Sequence, residues 1–257
     1  ARCKRRFPLR ILMLNPKTST PVTDLIMAAA QPVAAPGTPL IPATAPRGVP
    51  YIATRAEAVL GGAIALEMLA DLHTQADAAV IAAFADPGLG GARELFPIPV
   101  IGLAEAGMLT ACMLGSRFAI VTFAAALEPW YRECVAWHGL QKRCASIRTL
   151  DGAFRAIGTV QEEKAELLIS LACRAVEEDQ ADVILLAGAP LAGLGPKVAH
   201  HIPVPVVDCV AAAVKQAETL IALAPQKARA GTFRRPDAKT STGLPTALAR
   251  WIAHESG

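Results

Sequence analysis

The chain has 257 residues, enough for one large or two small domains and for a core that needs no disulfide or metal staple. Hydrophobic residues make up 53% and charged residues 18%, a balance that excludes intrinsic disorder as the main state. Lys plus Arg total 25 against 22 Asp plus Glu, and Arg2, Lys4, Arg5 and Arg6 crowd the start, so the body carries no basic footprint for nucleic acid.

In chain order, the first buried strand is expected at Ile11 to Leu14. Pro-rich Gln31 to Pro50 reads as a loop or extended connection. It overlaps the longest uncharged run, Leu25 to Pro46, whose five prolines forbid a spanning helix. A helix is expected over Arg55 to Thr74, a strand over Ala79 to Phe84 and another over Ala119 to Phe123. Helices follow at Gln161 to Glu178 and Val210 to Leu223, with a strand at Val183 to Leu186 between them. Pro225 to Pro245 is a basic loop, and Leu244 to His254 a closing helix. Arg2 to Arg6 lead into a short strand and no long apolar segment, so no secretory leader is expected. Six scattered cysteines without a C-x-x-C pair point to a reducing, cytoplasmic setting. Five histidines form no H-x-x-x-H, so neither a metal nor a cofactor is expected.

An internal repeat organises these elements. Gln75-Ala76-Asp77 and the apolar run after it return as Gln180-Ala181-Asp182, about 105 residues later. Ile98-Pro99-Val100-Ile101 returns as Val204-Pro205-Val206-Val207, and Arg10-Ile11-Leu12-Met13-Leu14-Asn15 as Arg117 to Thr122. The expected fold is therefore α/β, with two pseudo-symmetric halves, each a parallel sheet of about four strands flanked by helices. One half comprises residues 1–104 with 215–257, the other residues 105–214. The site belongs in the cleft between them, beyond the carboxyl ends of the strands.

Strand ends then select the candidate residues. Asn15, Thr18 and Ser19 precede a helix and offer an anion cradle, although Thr20-Pro21 also suits a plain helix start. Ala83 and Phe84 close the third strand. Asp86, before Pro87, is either the N-cap of the next helix or an acid/base group. Glu105 and Asp208 are first-turn acids after matching strands. In the second half the equivalents are Thr122, a donor or simply a strand residue, and Gly188-Ala189-Pro190. The three tryptophans read as packing anchors.

At these residues the sequence resembles the aspartate/glutamate/hydantoin racemase superfamily, most closely its hydantoin and allantoin racemase branch. The likeness rests on Asn15-Pro16-Lys17-Thr18-Ser19, Phe84-Ala85-Asp86-Pro87-Gly88-Leu89, Pro99 to Ala106, Cys144-Ala145-Ser146-Ile147-Arg148 and Val204 to Asp208, and spans about Leu9 to Leu223. The resemblance implies a cofactor-independent enzyme, a homo-oligomer, acting on a small carbonyl, carboxylate or ureide compound. It also implies one catalytic cysteine at the end of the third strand of each half, yet those positions are Ala83 and Gly188, and Cys209 is the one thiol expected near the cleft. Racemase-like isomerisation by another route follows, with Asp86 and Glu105 as candidate catalytic groups. The alternatives are hydrolysis of a small cyclic or linear amide, and non-catalytic binding of a small molecule. The substrate-binding set is Asn15, Thr18, Ser19, Ala83, Phe84, Thr122, Gly188, Ala189 and Pro190.

Overall fold

A computed structural model describes residues 9–150 and 159–255. Two four-stranded parallel sheets account for the buried apolar runs. The first contains β1 (Ile11–Asn15), β2 (Leu40–Thr44), β3 (Ala78–Ile81) and β4 (Val100–Gly102) in the order β2-β1-β3-β4. The second contains β5 (Phe118–Thr122), β6 (Cys144–Thr149), β7 (Val183–Leu186) and β8 (Val206–Asp208) in the order β6-β5-β7-β8. The order repeats, and so does the register: Leu12 faces Ala79 in one sheet as Ala119 faces Ile184 in the other. The central strands β1, β3, β5 and β7 are buried along their whole length, which is why they read as continuous apolar runs.

One strand lies where the sequence suggested only a loop or extended connection. β2 sits inside the Pro-rich segment, with Pro42 opposite Met13. The strand is an edge, where a residue without a backbone N–H leaves no ladder bond missing on its free side.

The helices are α1 (Thr20–Ala30), α2 (Arg55–Leu72), α3 (Leu89–Leu95), α4 (Leu103–Leu114), α5 (Glu128–Trp137), α6 (Val160–Asp179), α7 (Gly195–Val198), α8 (Cys209–Leu223) and α9 (Thr246–Ile252). Two of them cross. α4 leaves the first sheet and packs on β5, β7 and β8, whereas α8 leaves the second sheet and packs on β3 and β4. The two helices also pack on each other, so one large hydrophobic cluster runs through both sheets. A smaller cluster fills the space between the first sheet, α2 and α3, and Trp251 of α9 packs against it. Among the described residues, no helix is long and apolar enough to cross a membrane.

Candidate active site between the two sheets

The segments that follow β1, β3, β5 and β7 converge. They enclose a cavity whose free volume is about 30 Å³, room for no more than ordered water. Lys17, Val22, Ala83 and Phe84 come from the first half, and Phe123, Tyr131, Gly188, Ala189 and Pro190 from the second. Tyr51 and Ile52 close it from the loop before α2, and Trp130 from α5. The loop is held by a capping box: Glu57 N donates to Thr54 Oγ1 at 3.3 Å, and Glu57 Oε2 accepts from Thr54 N at 2.9 Å and Ala53 N at 2.7 Å. Arg55 of α2 and Glu133 of α5 pair across the surface beside it.

Of the residues singled out from the sequence, Ala83, Phe84, Gly188, Ala189 and Pro190 line the cavity. Asn15, Thr18, Ser19 and Thr122 do not. Asn15 is fully buried, and its Nδ2 donates to Thr23 Oγ1 at 2.9 Å and Ser19 O at 3.2 Å, while its Oδ1 accepts from Lys17 N. It braces the turn that carries Lys17. Ser19 is the N-cap of α1 without a side-chain bond, and Thr18 N donates to Val49 O at 3.0 Å. Thr122 donates to Ala187 O at 2.9 Å, tying β5 to the turn before Gly188.

Asp86 and Glu105 also lie outside the cavity. Asp86 does not cap the helix that follows it. Its own backbone is left-handed (φ 54°), and Gly88 takes the N-cap of α3. The carboxylate instead accepts from Ala104 N at 2.8 Å and Glu105 N at 2.9 Å, the free amides at the start of α4. Gly102 permits this, since a Cβ there would stand 2.4 Å from Asp86 Cγ. Asp86 Oδ2 is also 3.0 Å from His138 Nε2. Glu105 is gripped by the Arg93 guanidinium, with Nη1 to Oε1 at 2.9 Å, and lies 3.6 Å from His138 Nδ1. Asp208 caps α8 through Val210 N and Ala211 N. Cys209, expected near the cleft, is buried against α4 with Sγ 3.3 Å from Leu186 O, and it does not line the cavity. Burial pushes its thiol up. Cys3 lies outside the described residues.

Two groups that the sequence reading passed over dominate the cavity's chemistry. Lys17 is 5% exposed, and its Nζ donates to Ala82 O at 2.8 Å, next to Ala83. Burial lowers its amine from 10.5 to about 7, so near neutral pH much of it is an uncharged base. Tyr131 is buried on the opposite half, and its hydroxyl lies 3.5 Å from where a Cβ of Gly188 would stand. Burial, more than contact with Thr122 offsets, pushes the phenol far up, so it keeps its proton. Phe84 packs on its ring at 4.5 Å between centroids. Lys17 lies inside the Asn15–Ser19 motif, and a cation two residues beyond a buried strand end was a usable signal. Tyr131 had none, since only the fold brings α5 to Gly188.

Two matched parallel sheets with a closed site between their strand ends define a pseudo-symmetric α/β protein of racemase architecture. The chain belongs to the Asp/Glu/hydantoin racemase family, whose model matches residues 11–217. It is 33% identical over 233 residues to a hydantoin racemase of Paenarthrobacter aurescens, covering 90% of this chain and 99% of that one. Its fold superposes on an allantoin racemase from Klebsiella pneumoniae with a TM-score of 0.88 at 35% identity, covering 93% and 98% of the two chains. Arylmalonate decarboxylase, at 20% identity and a TM-score of 0.62 over 86% and 97%, shares the fold alone.

Proposed function

We propose that this protein is a cofactor-independent enzyme that moves a proton at the carbon next to a carbonyl group of a small carbonyl, carboxylate or ureide compound, by a route other than two thiols. The observation that carries the reading is the pairing of groups at the two strand ends. An uncharged amine stands beside Ala83 and a protonated phenol beside Gly188, the two positions to which the family resemblance assigns cysteines. Lys17 takes the proton and Tyr131 supplies one from the other half. Stereochemical inversion needs donor and acceptor on different faces, and a lysine desolvated in an apolar pocket is a competent base. Phe84, Phe123 and Trp130 exclude water from the reacting centre, which strengthens each polar interaction there. The hydantoin and allantoin racemases among its relatives put cyclic ureides first among substrates to assay. A cytoplasmic homo-oligomer acting on such a small molecule completes the reading.

The test is wash-in of solvent deuterium into allantoin and 5-substituted hydantoins, read by mass spectrometry. Exchange should survive alkylation of the cysteines and should rise with pH through about 7 as Lys17 loses its proton. Lys17→Met should lower it by roughly a hundredfold or more, the usual worth of a general base. Exchange abolished by the thiol reagent but unchanged in Lys17→Met would overturn the assignment.

A further inference from the structure

Beside the cavity, and sharing Trp130 with it, lies an open groove of about 650 Å³ between α2, the Ala85–Gly91 segment and α5. Asp86 and Cys134 face it. The proton-transfer chemistry above uses neither, nor His138.

We propose that Asp86, Cys134 and His138 form a site for one zinc-class divalent ion, with its fourth ligand a water from the groove. Their three ligand atoms, one oxygen, one sulfur and one nitrogen, all lie within 4.8 Å of one another. Mixed N/O/S donors suit zinc, and three protein ligands with one open position suit a solvent-accessible site. Cys134 and His138 are one turn apart on α5, so one helix face presents both. The sequence reading considered only C-x-x-C cysteine pairs and paired histidines. It missed this C-x-x-x-H spacing, and the third ligand comes from a loop about fifty residues away.

The surroundings are those a metal site needs. The Asp86 side chain is fully buried and that of His138 is 6% exposed. Two backbone amides fix the carboxylate, so Oδ2 cannot swing away from His138. His138 Nδ1 faces Glu105 at 3.6 Å, and Arg93 holds Glu105, which supplies the carboxylate behind a ligating imidazole that orients the ring. Bonds of about 2.0–2.3 Å place tetrahedral ligand atoms roughly 3.3–3.7 Å apart. The Oδ2 to Nε2 distance is already 3.0 Å, so the required motion is an opening of that pair by a few tenths of an ångström and an approach of Sγ by up to about 1 Å. Binding releases the thiol proton to solvent, leaving the ion's two positive charges balanced by one thiolate and one carboxylate.

Such an ion would bond the Ala85–Pro87 segment of the first half to α5 of the second. Phe84 and Tyr131, one turn or less from these ligands, both line the cavity and pack on each other with ring centroids 4.5 Å apart. Occupancy would therefore hold that contact between the two halves in place.

Metal-stripped full-length protein is titrated with zinc and, separately, with cobalt(II). We expect one equivalent bound, a tetrahedral cobalt spectrum with a thiolate charge-transfer band, and a zinc-dependent rise in Tm. Cys134→Ala and His138→Ala should each weaken binding more than tenfold and abolish the Tm rise, with circular dichroism confirming that both fold. These two variants are preferred to Asp86→Asn, because Asp86 also caps α4. His200→Ala/His201→Ala removes the surface histidine pair, whose rings lie 3.8 Å apart, and should leave the spectrum intact. No binding, a cobalt spectrum without the thiolate band, or binding that survives in Cys134→Ala or is lost in the His200/His201 variant would each overturn the site.

Discussion

Lys17 sets the terms at the scale of single residues, because it is a buried amine in an apolar, aromatic-lined cavity. Its folded pKa of about 7 is below the ordinary 10.5, so between those values the unfolded chain holds more protons than the folded one. Stability contributed by this group therefore rises with pH across that window, by up to about 1.4 kcal/mol per unit, and is flat below it. Lys17→Met should lack this slope. In urea melts the variant should be more stable than the parent near pH 7, by a few kcal/mol, and the gap should narrow steadily towards pH 9.5. A constant gap across that range would show that Lys17 is charged in the folded state. Gly188 carries the second prediction at this scale. Its φ is +110°, and a Cβ would lie 2.8 Å from Phe123 Cε1. Gly188→Cys should cost roughly 1–3 kcal/mol by urea unfolding, whereas Ala83→Cys should cost less, since Ala83 is not among the residues with positive φ. A thiol at position 188 is thus opposed by backbone as well as by volume. From sequence, Ala83 and Gly188 were legible as cavity residues because strand-end position is a topological property. Tyr131 was not, because its place depends on the packing of a helix far along the chain.

Segments show a similar division. The central strands were legible because burial on both faces leaves an uninterrupted apolar run, and the edge strand β2 was not, because Pro42 and partial exposure mask it. Asp86 before Pro87 has every local feature of an N-cap, and the local reading still fails. Left-handed Ala85 and Asp86 turn the carboxylate towards α4 instead, a choice made by tertiary structure. By contrast, α2 is capped by its own neighbours: Thr54 and Glu57 close its first turn reciprocally. Thr54→Ala should cost about 1 kcal/mol in thermal or urea unfolding. The same change should loosen Tyr51 and Ile52 over the cavity, read as faster hydrogen exchange of the Ala53 and Thr54 amides, both of which donate to Glu57. Unchanged exchange at those two amides would mean that the cover is held elsewhere.

For the molecule as a whole, the internal repeat was legible because each half must build the same strand order, and motifs at matching strand ends return after about 105 residues. What the repeat does not disclose is that the halves exchange their covering helices. Residues 104 and 214 lie within α4 and α8, so a cut at either one divides a helix. α4 belongs by sequence to the first sheet but covers the second, and α8 does the reverse. Each sheet on its own would expose a face lined by residues such as Val80, Ile101, Leu185 and Val207, all now buried in the shared cluster. An exposed apolar face of that size cannot be offset by the other contacts a half retains. The intact chain should therefore unfold in one transition, with calorimetric and van't Hoff enthalpies equal, despite its two sheets. Residues 9–104 expressed alone should be unfolded or aggregated. Adding 209–255 in trans, which supplies α8 and α9, should recover native circular dichroism for the first half. Two resolved transitions in the intact chain, or a stable folded fragment 9–104 without α8, would show that the crossed helices are a covering and not the join that makes the two halves one folding unit.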